Sequence, residues 1–170
     1  MMPMPKRMRG QVNPHNASIA KRSNYTVVIK KIDGMAMCPF CEENILIHHP
    51  KPLLFKNAHW IVTENAWPYS GAKHHFLLIC RDHVSRTEDT TPQVWSDLQT
   101  AYKKLVKKYR LSGSTLFIRS GNTNYTGATV QHLHAQVIAG TVRKKDSSPI
   151  LAIVGFQTKK NSSTQKQTRK

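Results

Sequence analysis

The hydrophobic residues between positions 25 and 156 fall into short runs that polar segments separate. Runs of about four to eight apolar, β-branched or aromatic residues are typical of strands. Such runs predict strands over residues 25–32, 53–55, 59–64, 75–80, 115–120 and about 129–139. A last apolar run, at 149–156, is expected to close the same domain.

One longer segment has the spacing of a helix. Thr91 and Pro92 offer an N-cap residue followed by proline at the first helical position. Behind them, apolar residues recur at steps of three or four and form one stripe along a helix of about five turns. The stripe consists of Trp95, Leu98, Tyr102, Leu105 and Tyr109. Several strands and one long helix predict an α+β domain on an antiparallel sheet, spanning residues 25–156.

The two ends of the chain are polar and basic. Residues 1–24 and 157–170 lack a hydrophobic period and are predicted to be disordered arms. The chain has 26 Lys and Arg against 9 Asp and Glu, a formal charge of +17, which favours anionic partners such as nucleotides or nucleic acid. No apolar run approaches the roughly 20 residues of a membrane span, and no apolar stretch follows the charged N-terminus. We therefore expect an intracellular protein that does not bind a membrane.

A histidine-rich segment follows a loop at 121–127 that contains glycine and asparagine. His132, His134 and Gln136 are spaced by two, which on a strand places all three on one face. Such a polar ladder is costly against an apolar core unless the groups find partners. The alternative is a surface strand that carries the two histidines by chance.

Two further groups of residues have the chemistry of metal ligands. Cys38 and Cys41 form a C-x-x-C pair, which presents two thiolates on a tight turn, whereas zinc takes four ligands. The redox alternative expects the pair at the start of a helix in a βαβ unit, which the pattern does not predict. His75 and His83 bracket the apolar run at 75–80, and histidine is the natural supplier of the missing ligands.

In combination, these motifs resemble the histidine triad (HIT) superfamily over about residues 38–140. The motifs are the C-x-x-C pair, the strand between two histidines and the H-x-H-x-Q segment. Glutamine in the third triad place is similar to the branch that contains galactose-1-phosphate uridylyltransferase and the diadenosine polyphosphate phosphorylases. The resemblance implies an enzyme that handles a nucleotide through a covalent histidine adduct, and twofold dimers through the long helix and a neighbouring strand.

The resemblance also implies a role for each matching residue. The ligands of a structural zinc ion would be Cys38, Cys41, His83 and His132. His134 would be the catalytic nucleophile, with Gln136 in the catalytic position of the third triad residue. The nucleotide and its phosphates would contact Asn122, Gly127, Thr129 and His75, helped by the backbone N–H groups of residues 127–129.

Gln136 favours transfer over hydrolysis. An amide cannot donate a catalytic proton as an imidazolium can, so the site suits leaving groups and acceptors that are phosphates. We therefore predict a nucleotidyl transferase or phosphorylase acting on a nucleoside polyphosphate or a nucleotide-sugar. One alternative is a hydrolase of the same superfamily. Another is a nucleic-acid-associated protein that binds or repairs adenylated ends and uses its basic arms as contacts.

Overall fold

The computed structural model of the protein describes residues 11–22 and 24–158. Its centre is one antiparallel sheet of five strands in the order β1-β2-β3-β5-β4. The strands are β1 (Leu53–Lys56), β2 (Trp60–Glu64), β3 (His74–Cys80), β4 (Thr115–Arg119) and β5 (His134–Ala139). The α+β prediction is confirmed.

Helix α4 (Pro92–Tyr109) covers one face of the sheet. As predicted, it begins after Thr91 with proline at the first turn, and it ends at Arg110 in the left-handed conformation. Its buried residues are Val94, Leu98, Ala101 and Leu105. They pack with inward-facing residues of β2, β3 and β5 in the main core, among them Trp60, Phe76, Leu78, Ala135 and Val137.

The opposite face of the sheet carries shorter helices. They are α1 (Pro14–Ile19), α2 (Tyr25–Met35), α3 (Glu42–His48) and the single turn α5 (Thr123–Thr126). Ile45 of α3 packs on Ile61, Leu77 and Ile79 of the sheet. A separate cluster joins α1 and α2 to the C-x-x-C turn, through Val12, Ala17, Ile29, Ile32, Cys38, Cys41 and Val130. His134 and Gln136 belong to this second face, because their neighbours in register on β3 are Ile79 and Leu77.

The strand predicted at residues 25–32 is wrong, since this segment forms helix α2. Its β-branched residues favour a strand, but the buried positions follow a helical period. Ile29 and Ile32 are buried three residues apart, whereas Val27 is 70% exposed. Burial of one helical stripe outweighs the modest intrinsic preference of β-branched residues for strands.

The disordered arm predicted at the N-terminus is wrong for residues 11–22. This segment contains α1, whose N-cap Asn13 accepts a hydrogen bond from the Asn16 backbone, and it is tied to the loop at 122–130. Asn16 Nδ2 donates to the carbonyls of Thr123 and Ala128 at 2.8 and 2.7 Å. Residues 1–10, 23 and 159–170 of the predicted arms lie outside the described residues.

Two boundaries differ from the sequence prediction. Strand β5 begins at His134 rather than near 129, so His132 precedes the strand. The apolar run at 149–156 forms neither helix nor strand, and Leu151 and Val154 are more than three-quarters exposed. Among the described residues, no helix is both long and apolar enough to cross a bilayer.

Candidate active site and metal centre

Four predicted ligands converge on one point beneath the sheet. Cys38 and Cys41 flank the turn before α3, His83 follows the end of β3, and His132 precedes β5. Their ligand atoms all lie within 4.8 Å of one another. The four residues are therefore close enough to hold one metal ion.

The separations fit a tetrahedral ion. The Nδ1 atoms of His83 and His132 are 3.3 Å apart, and His132 Nδ1 lies 3.3 Å from Cys38 Sγ and 4.0 Å from Cys41 Sγ. Cys41 Sγ lies 3.2 Å from His83 Nδ1. Tetrahedral bonds of about 2.3 Å to sulfur and 2.0 Å to nitrogen require N–N distances of about 3.3 Å and N–S distances of about 3.5 Å.

The tautomer of His132 also suits metal binding. Its Nε2 lies 2.6 Å from the carbonyl of Cys80, an acceptor, so Nε2 carries the proton and donates it. The lone pair then belongs to Nδ1, which faces the thiols. This is the outer hydrogen bond that commonly orients a ligating imidazole.

His134 lies beside this cluster, yet it faces a different cavity. Its Nδ1 donates to the carbonyl of His132 at 2.6 Å, so the lone pair of the neutral ring is on Nε2. That lone pair faces the cavity that His134 lines, and the edge of the Phe40 ring packs at 5.1 Å between ring centroids. One residue, His132, thus offers its ring to the metal centre and its carbonyl to His134.

Burial keeps His134 neutral. The side chain is 5% exposed, and loss of hydration lowers its pKa to about 4, with the charge of Arg119 acting in the same direction. A free imidazole with its proton on Nδ1 is a competent nucleophile at neutral pH.

His75 fixes the orientation of Gln136. The backbone N–H of Tyr69 donates to His75 Nδ1 at 3.1 Å, so the proton of the neutral ring is on Nε2. Nε2 then donates to Gln136 Oε1 at 2.9 Å. The Asn65 NH₂ group also lies near His75 Nε2, but it cannot accept this proton. Asn65 is held in that orientation because its Oδ1 accepts from the Trp67 backbone. Burial lowers the pKa of His75 to about 4, so the ring stays neutral near pH 7 and keeps its proton on Nε2 for Gln136. The Gln136 NH₂ group is left to face the cavity.

The loop at 121–129 holds the other predicted contacts. Gly127 and Thr129 line the cavity, whereas Asn122 does not: it caps α5 by accepting from the Asn124 backbone. Gly127 is left-handed (φ 69°), and a Cβ there would lie 2.6 Å from the side chain of Ile153. The Gly127 and Ala128 N–H groups already donate to Thr123 and Thr126. Within the described chain, the Thr129 N–H has no such acceptor.

Two arginines that the sequence prediction missed also line the cavity. Arg119 lies opposite His134 in register on β4, and it donates to the carbonyls of Thr126 and Ile153 and to the Tyr69 hydroxyl. Arg22 lies between α1 and α2, with its guanidinium 4.1 Å from the Tyr69 ring centroid. No sequence motif marks either residue; only the fold brings them to the cavity that His134 lines.

An apolar wall completes the cavity, and the sequence prediction missed it as well. It consists of Val28, Ile29, Ile32, Phe40, Leu77 and Val130. Half of these residues belong to α2, so the signal was the helical period that the strand prediction overlooked. A cavity with one apolar wall and one cationic wall suits a ligand with a flat apolar part and an anionic part.

A comparison with protein-family models decides the identity of the fold. Residues 49–142, more than half of the 170 residues, match the HIT domain model. The chain belongs to the HIT domain family. The matched region contains β1 to β5 and α4, with His83, His132, His134 and Gln136, whereas α1, α2 and the cysteine pair precede it.

Solved structures share this HIT fold at low sequence identity. A HIT family hydrolase from Clostridium thermocellum is 24% identical, with a TM-score of 0.52, over 67% of this chain and 96% of that one. A Zn-bound histidine triad family protein from Mycobacterium smegmatis is 19% identical, with a TM-score of 0.50, over 65% and 79%. A histidine triad nucleotide-binding protein from Candida albicans is 20% identical, with a TM-score of 0.50, over 66% and 86%. A search of curated proteins finds no match.

Proposed function

We propose that this HIT protein is a nucleotidyl transferase or phosphorylase of the H-x-H-x-Q branch. Its substrate would be a nucleoside polyphosphate or a nucleotide-sugar. The observation that carries the proposal is His134, whose Nδ1–H is held by the His132 carbonyl while Nε2 faces a cavity lined by two guanidinium groups. A neutral nucleophile opposite fixed positive charge is suited to attack on a phosphate ester.

The reaction would proceed in two displacements. His134 Nε2 forms a bond to the α-phosphorus, and the bond from that phosphorus to the bridging oxygen breaks, so the leaving phosphate departs with the electron pair. The ring becomes a cationic nucleotidyl-imidazolium, and its Nδ1–H keeps its hydrogen bond to His132. An acceptor phosphate then attacks the same phosphorus and restores the neutral imidazole. Two inversions give net retention at phosphorus.

Gln136 supports transfer to a phosphate. Its NH₂ group, oriented by His75, can donate to an oxygen of the reacting phosphoryl group but cannot supply a proton to the leaving group. A leaving phosphate needs no such proton, because it is stable as an anion near neutral pH. Hydrolysis with water as acceptor is the competing outcome.

The test is incubation of the protein with diadenosine tetraphosphate, with and without inorganic phosphate, followed by product analysis and intact mass spectrometry. We expect ADP to form together with ATP when phosphate is present, and an adenylyl mass increment on the protein when phosphate is absent. Turnover that is independent of phosphate would select the hydrolase. The absence of both products and adduct, with nucleotide-sugars included among the substrates, would refute the proposal.

The pH dependence should reflect the lowered pKa of His134. For an ordinary histidine, kcat/KM would fall by half near pH 6.5 as the ring takes up a proton. Because burial lowers the pKa of His134 to about 4, we expect kcat/KM to stay level from pH 8 to below pH 6 and to fall only as pH approaches 4. Measuring kcat/KM over this range, with circular dichroism at each pH to confirm folding, checks the prediction; a midpoint near 6.5 would contradict it.

We also propose that the ion at the four-residue site is zinc. Two thiols and two imidazoles in tetrahedral arrangement are the donor set that zinc prefers, and four protein ligands leave no position for a substrate. When bound there, zinc would supply structural cross-linking between the C-x-x-C turn, the end of β3 and the approach to β5. It would take no part in the phosphoryl chemistry.

A second candidate function, association with nucleic acid, is favoured by a groove at the opposite end of the sheet. Lys73, Arg110 and Lys144 line this groove, and no aspartate or glutamate is among its lining residues. None of the three forms a salt bridge within the described residues. A groove with unpaired cations can follow a phosphodiester backbone without reading its sequence.

Removing the groove cations should weaken binding to single-stranded nucleic acid. We expect the triple variant Lys73→Ala, Arg110→Ala, Lys144→Ala to reduce the slope of log affinity against log salt by about 2, since each phosphate contact contributes about 0.7. Fluorescence anisotropy with a labelled oligonucleotide measures the slope. The control triple Lys30→Ala, Lys31→Ala, Lys51→Ala removes the same charge from exposed positions elsewhere. Equal losses in the two variants would rule out the groove.

A further inference from the structure

Arg22 reaches the active-site cavity from outside the region that matches the HIT domain. The chain turns after α1 at Lys21, which has a left-handed φ of 47°, and Arg22 then points towards Tyr69. One of its N–H groups donates to the Trp67 carbonyl at 3.1 Å. Its guanidinium has five N–H donors in all, so most of them keep their capacity for a ligand.

The two cavity arginines share Tyr69. Arg22 lies over the face of its ring, at 4.1 Å from the centroid, while Arg119 donates to its hydroxyl at 2.9 Å. Both guanidinium groups therefore lie around Tyr69 in the cavity that His134 also lines, and the charge of Arg119 acts on His134 itself. Their positive charges lower the pKa of His75, which lies against Tyr69, as a secondary effect after burial.

Neither arginine has a carboxylate partner. Within the described residues, neither takes part in a salt bridge, and no aspartate or glutamate lines the cavity. Packing of Arg22 on Tyr69 explains the position of one cation, since cation–π contacts are modestly stabilising. It does not explain two partly buried like charges in one cavity, an arrangement that an anionic ligand would stabilise.

The anion that we expect beside Arg22 and Arg119 is the phosphate of the leaving group. Gln136 cannot protonate a departing group, so the site favours a phosphate, which leaves as a stable anion, and fixed guanidinium groups bind phosphate oxygens with strong, charge-assisted hydrogen bonds. We propose that Arg22, with Arg119, binds the phosphate of the leaving group and makes the site selective for nucleotides whose departing group is itself a phosphate. This inference rests on the proposed function and assigns the specificity of that site to a residue before the HIT domain match.

Two adenylates that differ only in the leaving group test the assignment. Diadenosine tetraphosphate would release ATP through a phosphate oxygen, whereas adenosine 5′-phosphoramidate would release ammonia after its nitrogen takes up a proton from water, and both would leave the same adenylyl group on His134. We expect Arg22→Gln to lower kcat/KM for the tetraphosphate by about 30-fold and for the phosphoramidate by less than about 3-fold. Arg22→Lys should restore part of the loss, because it keeps the charge without the planar fork.

Lys21→Gln is the matched control. It removes the same charge one residue away, from an exposed side chain that does not line the cavity, and it should change both rates by less than about 2-fold. Equal losses for the two substrates in Arg22→Gln, or no loss for either, would overturn the assignment.

Binding of inorganic pyrophosphate separates this inference from the proposed function. Isothermal titration should show pyrophosphate binding to the wild-type protein about 30-fold more tightly than to Arg22→Gln, with Lys21→Gln unchanged. If the protein binds pyrophosphate in this way but never forms an adduct, the proposed function fails and the anion site stands. If Arg22→Gln binds pyrophosphate as tightly as the wild type, the Arg22 assignment fails whatever the activity.

Discussion

Replacing His134 by asparagine should abolish nucleotidyl transfer, with a loss of kcat/KM on the order of 10⁴-fold, the scale on which removal of a covalent nucleophile is felt. Asparagine keeps a short polar side chain that can still donate to the His132 carbonyl, so the surroundings are disturbed little. It has no ring nitrogen with a free lone pair, so no adduct can form. Product assays and intact mass spectrometry after mixing with diadenosine tetraphosphate measure both effects.

His15→Asn provides the control for this substitution. His15 lies on α1 with an exposed side chain, and the same change there should leave turnover and the mass increment as in the wild type. If His134→Asn keeps a tenth or more of the activity and still gains an adenylyl group, the nucleophile is another residue.

Replacing Cys41 by serine should release the metal and lower stability strongly. The change removes one of the two thiolates with almost no change in volume, and the loss of a metal site is among the few mechanisms that cost about 4 kcal/mol or more. For a domain of this size, that corresponds to a fall in Tm of roughly 10 °C. Zinc content by mass spectrometry of the elements and Tm by calorimetry measure the two effects, and chelation of the wild type should lower Tm in the same direction.

Cys80→Ser tests whether any buried thiol would do the same. Cys80 is 1% exposed and belongs to the main core rather than to the ligand cluster. Its variant should keep about one zinc ion per chain, the stoichiometry of a four-ligand site. A wild-type protein with far less than one zinc ion per chain, prepared without chelator, would contradict the metal assignment.

Loss of the metal should also slow the reaction at His134. The His132 ring would lose the metal ion that it binds, while the backbone carbonyl of His132 is the group that accepts the Nδ1–H of His134. Adduct formation in Cys41→Ser is therefore expected to slow even at temperatures where the variant stays folded. This links the structural site to the reaction without placing the metal in it.

The sequence was sufficient to predict the elements with clear periods. Strands β1 to β4 and helix α4 lie close to their predicted bounds, because a short apolar run or a helical stripe marks each of them. The ligand cluster was predicted through family resemblance, and the structure brings its four members together. His132 and His134 were expected to share one strand face, yet His132 lies before β5 and turns to the thiols.

The features that were missed depend on tertiary contacts. Helix α2 has a β-branched sequence that looks like a strand until Ile29 and Ile32 are seen packed against the C-x-x-C turn. Arg22 and Arg119 carry no motif, and only the fold brings both of them into contact with Tyr69. Asn122 was predicted from the family resemblance, but the short helix α5 uses that side chain as a cap instead.

The residues proposed to react with the substrate and the residue proposed to select it lie in different segments of the chain. The proposed nucleophile His134 and Gln136 lie within residues 49–142, whereas Arg22 and four of the six residues of the apolar wall lie before that region. Hydrogen bonds from Asn13 and Asn16 join α1 to the loop before His134. With Arg22 selecting the leaving group as proposed, substitutions before residue 49 would change the choice of substrate and leave the proposed reacting residues, His134 and Gln136, untouched.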